Sequence, residues 1–461
     1  MRMNDESASS FRAADIECLS ALVAGPVSLP GSSQYAADCA TYNLATPVRP
    51  AVAVGVTSVA DVRAAVRFAV ERGLPVAVLA TGHQVVDAGE GALLVNMSRL
   101  SAVRVDAARR VARVEGGARA NEVVQAAEQH GLVPLSGGSP TVGITGFTLG
   151  GGYSPVLGRE YGYAADHVQA VEVVTADGEL RRATASEEPE LFWALRGAKG
   201  NFGVITAMEL ALFPVTRYYG GGLFYSAEYA ATVLHAWREW VVGLSTDTTS
   251  SIAFLRRPPQ PFMVHLRFSS LLPGPDAERV LAPMRASAPT IKDTVGEMPY
   301  REVASLHLDP TQPLSRTEDA TSLREFPREA ADVLLGALGP HSGTHLDFME
   351  LQCFGGALEK APAVPNAVTG RHARWIVIGA GTGGPEQTQV FEDELGTLAA
   401  SLFPWAQHEM HVNFLPPRGL TPQELREVYG PERYDRLAAV KRRYDPGNVF
   451  RINHNIPPAE G

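Results

Sequence analysis

The sequence predicts an α+β protein of two domains, on three observations. Strands and amphipathic helices alternate over the first 215 residues or so; near Tyr218 the texture changes, glycine-rich loops becoming rarer; and a helix with an Asn-rich extended end closes the chain. At 461 residues the chain has room for roughly two to four domains and for a core that encloses a ligand. With 45% hydrophobic and 20% charged residues its composition is that of an ordinary globular protein. Forty basic against 50 acidic residues leave a net charge of -10, which repels phosphate backbones and anionic membrane surfaces, so neither nucleic acid nor membrane is expected as a partner. Cys18, Cys39 and Cys353 are scattered, without CxxC spacing, as thiols in a reducing compartment would be. The opening residues lack the basic-then-apolar run of a signal peptide, and no apolar stretch approaches the roughly eighteen residues a bilayer requires, so the expected location is cytoplasmic.

The elements follow in order. After a short amphipathic start at 10–23, Ser58 is an N-cap with Asp61 three residues on, Val59, Val62, Val66 and Ala69 keep helical spacing, and Gly73 supplies the stop. Val76 to Ala80 is a buried strand and ALLVNM a second. VARVEGGARANEVVQAAEQHG repeats strand, Gly-Gly turn and helix. VQAVEVVTADGELRRAT predicts two strands joined at Asp177-Gly178, a favoured tight-turn pair. PELFWALRGAKGNFGVITAMELALFP gives a helix, a glycine loop and a strand. Beyond Tyr218, strands SIAFLRR and PFMVHLRF are joined by helices around 227–242, 275–286 and 327–338. In THLDFMELQCFGGA, alternation puts Phe348, Glu350 and Gln352 on one face. RWIVIGAGTGGP leads into a helix at 386–402, and the last helix stops at Asp445-Pro446-Gly447.

Glycine raises two rival cofactor readings. GAGTGG matches the GxGxxG dinucleotide fingerprint at Gly379, Gly381 and Gly384, with Glu409 as the acid for the ribose, which would make the protein an NAD-dependent dehydrogenase. That unit stands alone, and Glu386, Glu392, Asp393 and Glu394 crowd its phosphate end with negative charge. The other reading uses several separate loops, Ala80-Thr81-Gly82-His83, the stretch Gly137 to Gly152, and Gly200-Asn201-Phe202-Gly203, whose backbone N–H groups can line one groove for a long, extended ligand.

PAVAVGVTSVADVRAAVRFAVERGLPVAVLATGH, SGGSPTVGITGFTLGGG, PELFWALRGAKGNFGVIT and YDPGNVFRINHNIPP together resemble the FAD-linked oxidases related to berberine bridge enzyme, within the vanillyl-alcohol oxidase superfamily. The resemblance is dense over 48–215 and 426–461 and faint between. It implies a PCMH-type FAD-binding fold in which 1–215 and the returning tail 426–461 bind FAD, while 216–425 form an α/β substrate domain, an antiparallel sheet covered by helices. His83, with Ala80, Thr81, Gly82 and Gln84 around it, stands where the family tethers its flavin; a neutral imidazole can attack the 8α-methyl carbon of the ring. Many members add a cysteine tether, but Ser139 stands there, followed by Pro140 and Thr141. A hydroxyl is a far weaker nucleophile than a thiolate, so FAD attached through His83 only is implied.

Val142 matches a gate position at which a small branched side chain leaves room for dioxygen, which leans toward an oxidase; its other reading is a packing valine. Gly143, Thr145, Gly146, Gly150, Gly151, Asn201, Gly203, Val204 and Ile205 match flavin-contacting loops, and Asn453 and Asn455 match polar residues near the pyrimidine edge. Relatives place tyrosines in a YxNY strand, where this chain has His411-Val412-Asn413-Phe414. Phe414 cannot take a proton, which leaves His411, Glu350 or Tyr153 as catalytic candidates, with a solvent-facing Glu350 and a joint-filling Tyr153 as the bland readings.

The function implied is transfer of a hydride from a carbon bearing oxygen or nitrogen to FAD, with O2 reoxidising it to give H2O2. A redox-neutral or multistep oxidative cyclase, and a binding protein with structural flavin, stay open beside it. A small-molecule secondary metabolite is the expected substrate, and Trp237, Trp240 and Phe254 are expected to favour a large hydrophobic one. No metal site is expected: His341 and His345 sit in a loop composition.

Overall fold

The computed structural model describes residues 13–460. Of the amphipathic start, the helix Ala13–Leu22 is observed, and residues 10–12 lie outside the described residues. β1 (Val27–Ser28), β2 (Val52–Gly55), β3 (Val76–Leu79) and β4 (Leu93–Asn96) form a sheet in the order β1-β2-β4-β3, with β2 and β3 both parallel to β4. Parallel strands need helical crossovers, which cover their faces; β2 and β4 are accordingly buried along their whole length. The crossover from β2 is the helix Val59–Glu71, whose first turn is held by Ser58 accepting from the Asp61 amide at 3.2 Å and whose end is released at Gly73, φ +66°.

β5 (Val103–Asp106), β6 (Val111–Glu115), β7 (Val168–Val174), β8 (Leu180–Ala183) and β9 (Val204–Ala211) make an antiparallel sheet ordered β5-β6-β9-β7-β8. The expected Asp177-Gly178 turn joins β7 to β8. β10 (Arg217–Ser226), β11 (Thr248–Leu255), β12 (Met263–Ser270), β13 (Lys292–Asp293), β14 (Gly296–Pro299), β15 (Arg316–Leu323), β16 (Phe348–Cys353) and β17 (Trp375–Thr382) build one antiparallel sheet, in the order β13-β10-β12-β11-β16-β17-β15 with β14 also on β10. The helices Ala230–Val241, Gly274–Ser287, Arg328–Leu338 and Thr388–Leu402 bury one face of it around Trp237, Phe268, Leu351 and Trp375.

This sheet corrects two sequence expectations. β17 pairs antiparallel with both β15 and β16, so no βαβ unit forms around GAGTGG. A Cβ on Gly379 would lie 2.7 Å from Leu395 and one on Gly381 2.4 Å from Phe391: these glycines let the helix Thr388–Leu402 sit close against the strand. Glu409 lies in a loop, not at a strand end, and the NAD-dependent dehydrogenase reading falls with the geometry. Trp237, Trp240 and Phe254 belong to the helix-covered core; Trp237 is wholly buried and donates to Ser250 Oγ at 2.9 Å. They do not line the cavity that holds the glycine loops.

Two contacts tie distant chain segments together. The tail helix Pro431–Tyr444 packs into the core of the five-stranded sheet, and behind it Lys441 and Asp445, both fully buried, pair at 2.8 Å. The Lys441 ammonium also donates to Asn201 O and Phe450 O, while Asp445 accepts the amides of Val449 and Phe450. The extended end is thereby latched to the Gly200-Asn201 loop, where Asn201 Oδ1 accepts from the Ile456 amide. Across the molecule, the Leu44 amide donates to Leu314 O, the Leu314 amide donates to Tyr42 O, and the Tyr42 hydroxyl donates to Pro310 O at 2.5 Å.

Candidate active site

A cavity of about 560 Å³ runs from the loops above the two smaller sheets to the open face of the eight-stranded sheet. The first part is a groove floored by backbone. Ala80 to Gln84 leave the end of β3; Ser139, Val142, Gly143, Thr145 and Gly146 come from the glycine-rich stretch; Asn201, Gly203 and Ile205 precede or begin β9; and Asn453 and His454 come from the latched tail. A Cβ on Gly146 would meet nothing within 4 Å, and one on Gly200 only the Asn453 amide at 3.8 Å, so these glycines face open space rather than packed side chains. Thr145 Oγ1, Asn453 Oδ1 and both ring nitrogens of His454 are buried without a partner. Orphaned polar atoms along a glycine-lined trench call for a long polar ligand. An extended dinucleotide such as FAD fits that set of donors and acceptors.

Not every sequence-predicted contact lines this groove. Pro140 and Thr141 lie beside it, and Thr141 Oγ1 is 3.1 Å from His83 Nε2. Gly150 and Gly151 lie behind it and carry other side chains: a Cβ on Gly150 would meet Asn413, and one on Gly151, where φ is +119°, would sit 2.1 Å from His411 Nε2. Val204 is buried in the core of the small parallel sheet, and Asn455 holds a buried, unpartnered Oδ1 outside the lining.

His83 is poised where the groove passes Tyr42 and Leu314. Tyr42 stacks on its ring at 3.8 Å with planes 10° apart, and burial lowers its pKa to about 4, so the imidazole is neutral. Nearby Lys199 lines the groove on a left-handed backbone, φ +49°, its ammonium donating to Gln84 Oε1; burial lowers its pKa to about 8.

The second part is a chamber. The alternation predicted for β16 places Phe348, Glu350 and Gln352 on its wall, while Met349, Leu351 and Cys353 enter the helix-covered core. Ala320, Ile378, Tyr153 and Phe414 complete an apolar lining, and Arg316 and Asp319 add polar groups from β15. Glu350 is 4% exposed and forms a 2.5 Å ion pair with Arg267, itself 2% exposed, on β12. Burial alone pushes the Glu350 carboxyl up; Arg267, His307 at 3.7 Å and hydrogen bonds from Ser251 and Gln352 more than reverse this and hold it at about 2. Burial first, with Arg267 adding, lowers the His307 pKa, and the carboxylate opposes them. Burial, with the Glu350 charge, raises the Tyr153 phenol well above its usual range, so it is a donor and not a base.

His411 is placed elsewhere. Its ring is wholly buried behind Gly151, stacked on Tyr163 at 4.7 Å, with neither nitrogen partnered and a pKa lowered by burial to about 3. It does not line the chamber. The segment 412–414 is a single 3₁₀ turn that brings Asn413 and Phe414 to the cavity. Arg267, His307, Arg316, Lys199 and His454 were missed in the sequence. Only Arg267 left a signal, as the polar member of a face of PFMVHLRF that also carries His265. Among the described residues no group of three or more His, Cys, Asp or Glu is arranged to hold a metal ion, and no helix is long and apolar enough to cross a membrane.

A trench opening into a chamber walled by a separate sheet fits a flavin-dependent oxidoreductase. Comparison with known proteins agrees. A family model described as an FAD binding domain matches residues 50–184, and one described as berberine and berberine like matches 423–457. The chain is similar to (R)-6-hydroxynicotine oxidase of Paenarthrobacter nicotinovorans, 28% identical over 95% of this chain and 99% of the relative. It is similar to chitooligosaccharide oxidase of Gibberella zeae, 25% identical over 94% of this chain and 92% of the relative. The crystal structure of 6-hydroxy-D-nicotine oxidase from Arthrobacter nicotinovorans matches with a TM-score of 0.83 at 26% identity, covering 95% of this chain and 98% of that one. The chain thus carries an FAD binding domain and a berberine-like segment, and its similarity over nearly the whole length is to FAD-linked oxidases.

Proposed function

We propose that the protein is an FAD-dependent oxidase that converts a small molecule by removing a hydride from a carbon bearing nitrogen or oxygen, with dioxygen as the final acceptor and hydrogen peroxide as the second product. The observation that carries this reading is the continuity of groove and chamber in one cavity. When bound, FAD supplies the hydride acceptor and the site of dioxygen reduction. Residues 1–215 and 426–461 hold the cofactor and 216–425 hold the substrate.

His83 carries a covalent bond to the cofactor, supported by its neutral imidazole and its place on the groove wall; Ser139 carries none. In the chamber, Glu350 stays ionised and accepts a hydrogen bond from a substrate N–H or O–H, while Tyr153 donates one. Neither takes a proton near neutrality. With phenylalanine at 414 as well, a neutral amine, which releases a hydride without first losing a hydroxyl proton, is favoured over an alcohol. The enclosed, largely apolar walls of Phe348, Ile378 and Phe414 suit a compact secondary metabolite. Val142, small and on the cavity wall, leaves space for dioxygen. Free thiols at Cys18, Cys39 and Cys353 support a cytoplasmic setting.

The test is a panel of cyclic amines and matched alcohols given to purified protein, read as oxygen uptake and peroxide release. Substrate-dependent bleaching of the flavin without peroxide would replace the oxidase by a dehydrogenase or cyclase. Glu350→Gln should raise KM with a smaller change in kcat; unchanged kinetics would remove Glu350 from the site.

A further inference from the structure

One corner of the groove carries a positive charge that no carboxylate among the described residues balances. Lys199 is half-buried, and it lines the groove. Its ammonium meets only the neutral amide of Gln84, and among the described residues no carboxylate pairs with it. It holds a left-handed backbone, φ +49°, that glycine adopts freely and lysine does not. Its stem and the Asn413 amide converge on Gly150. His411 and His454 face the same charge and are both neutral, their pKa values lowered to about 3 by burial and then by Lys199. His454 and Asn453 add buried polar atoms without partners. An ammonium enclosed with orphaned polar groups is costly unless an electron-rich partner meets it.

We propose that Lys199 is the counter-charge for the pyrimidine edge of the flavin ring. The inference rests on FAD being the ligand of the groove. A hydride brings two electrons and one proton, so a neutral oxidised ring gains one net negative charge. Lys199 attracts that charge and has little hold on the neutral ring, so it acts on the reduction potential rather than on cofactor affinity. The diphosphate is the competing anion. It is disfavoured because Asn413, beside Lys199, is followed directly by Phe414 of the chamber wall, and the reacting ring, not the phosphates, must border the chamber.

Sulfite adds to an oxidised flavin and leaves negative charge on the ring, so its affinity reads this field without turnover. Holoenzyme carrying Lys199→Met, Lys199→Arg or Gln84→Glu is titrated with sulfite, and midpoint potentials are taken by dye equilibration. Lys199→Met should weaken sulfite binding by at least about tenfold, the least that a unit charge a few ångströms away supplies at protein dielectric, and lower the potential. Lys199→Arg should restore most of both. Gln84→Glu, which neutralises the ammonium without replacing it, should shift both in the direction of Lys199→Met. Native sulfite affinity in Lys199→Met with its flavin bound overturns the proposal. So does a Lys199→Met protein emptied of flavin while Gln84→Glu keeps native sulfite affinity, which gives the charge to the diphosphate. Native protein that binds no flavin would sink the FAD reading itself.

Discussion

Replacing Arg267 by methionine removes the guanidinium that lets Glu350 stay ionised out of water. Both residues are almost fully buried and 2.5 Å apart, and methionine keeps much of the arginine stem, so the loss is mainly charge. Breaking one partner of a buried pair costs about 3–5 kcal/mol. The pH dependence has a definite sign. In the native protein the Glu350 pKa lies at about 2, below the ordinary 4.5, so its stabilisation is present above pH 4.5 and is lost as pH falls toward 2. In Arg267→Met the burial that raises the pKa is opposed only by His307 and two hydrogen bonds, and the carboxyl rises above 4.5. Stability is then greatest below that value and declines as pH rises through the new pKa. Thermal unfolding of Arg267→Met, Glu350→Gln and the double variant across this range tests it. The single arginine variant should be worst at neutral pH, and the double variant should recover at least half of its loss. A pH-independent loss, or losses that simply add, would refute the electrostatic account of the wall.

Three further outcomes follow from the cofactor side. Acid-precipitated native protein should keep its yellow colour in the pellet and His83→Ala should release it to the supernatant; native colour in the supernatant would remove the tether and leave the groove. Lys441→Met strands the fully buried Asp445 and should lower stability by about 3–5 kcal/mol while speeding FAD loss in a His83→Ala background, measured by unfolding midpoint and flavin fluorescence. Gly151→Ala forces a Cβ against His411 at positive φ and should cost about 1–3 kcal/mol, whereas Gly396→Ala, in the open within the helix Thr388–Leu402, should stabilise by up to about 1 kcal/mol; equal effects would discount the clash.

The glycine stretches revealed the groove in the sequence because backbone that must approach a ligand leaves a compositional mark. The alternation of β16 likewise revealed the chamber wall, since one face is core and the other is not. β15 left no such mark: Arg316, Glu318 and Asp319 make it look like a loop, and it is a strand because β17 pairs with its whole length. Arg267 was readable as polar, but its partner lies two strands away, across β11, and register is a tertiary fact. The same holds for His411, whose motif position pointed to the reaction while the fold turned its ring behind Gly151. Aromatics misled for the opposite reason. Trp237 and Phe254 are apolar enough to wall a pocket, and only the helices over the sheet show which side they take.

The pleat of β16 also bears on how such a protein diversifies. Positions 348, 350 and 352 meet whatever is bound, and 349, 351 and 353 meet the helices, so neighbouring codons answer to separate selective demands. A library that randomises positions 348 and 352, and varies 350 only together with Arg267, can search new chemistry while the fold's own adhesive stays untouched, and one that shifts by a single residue would spend its diversity on unfolding.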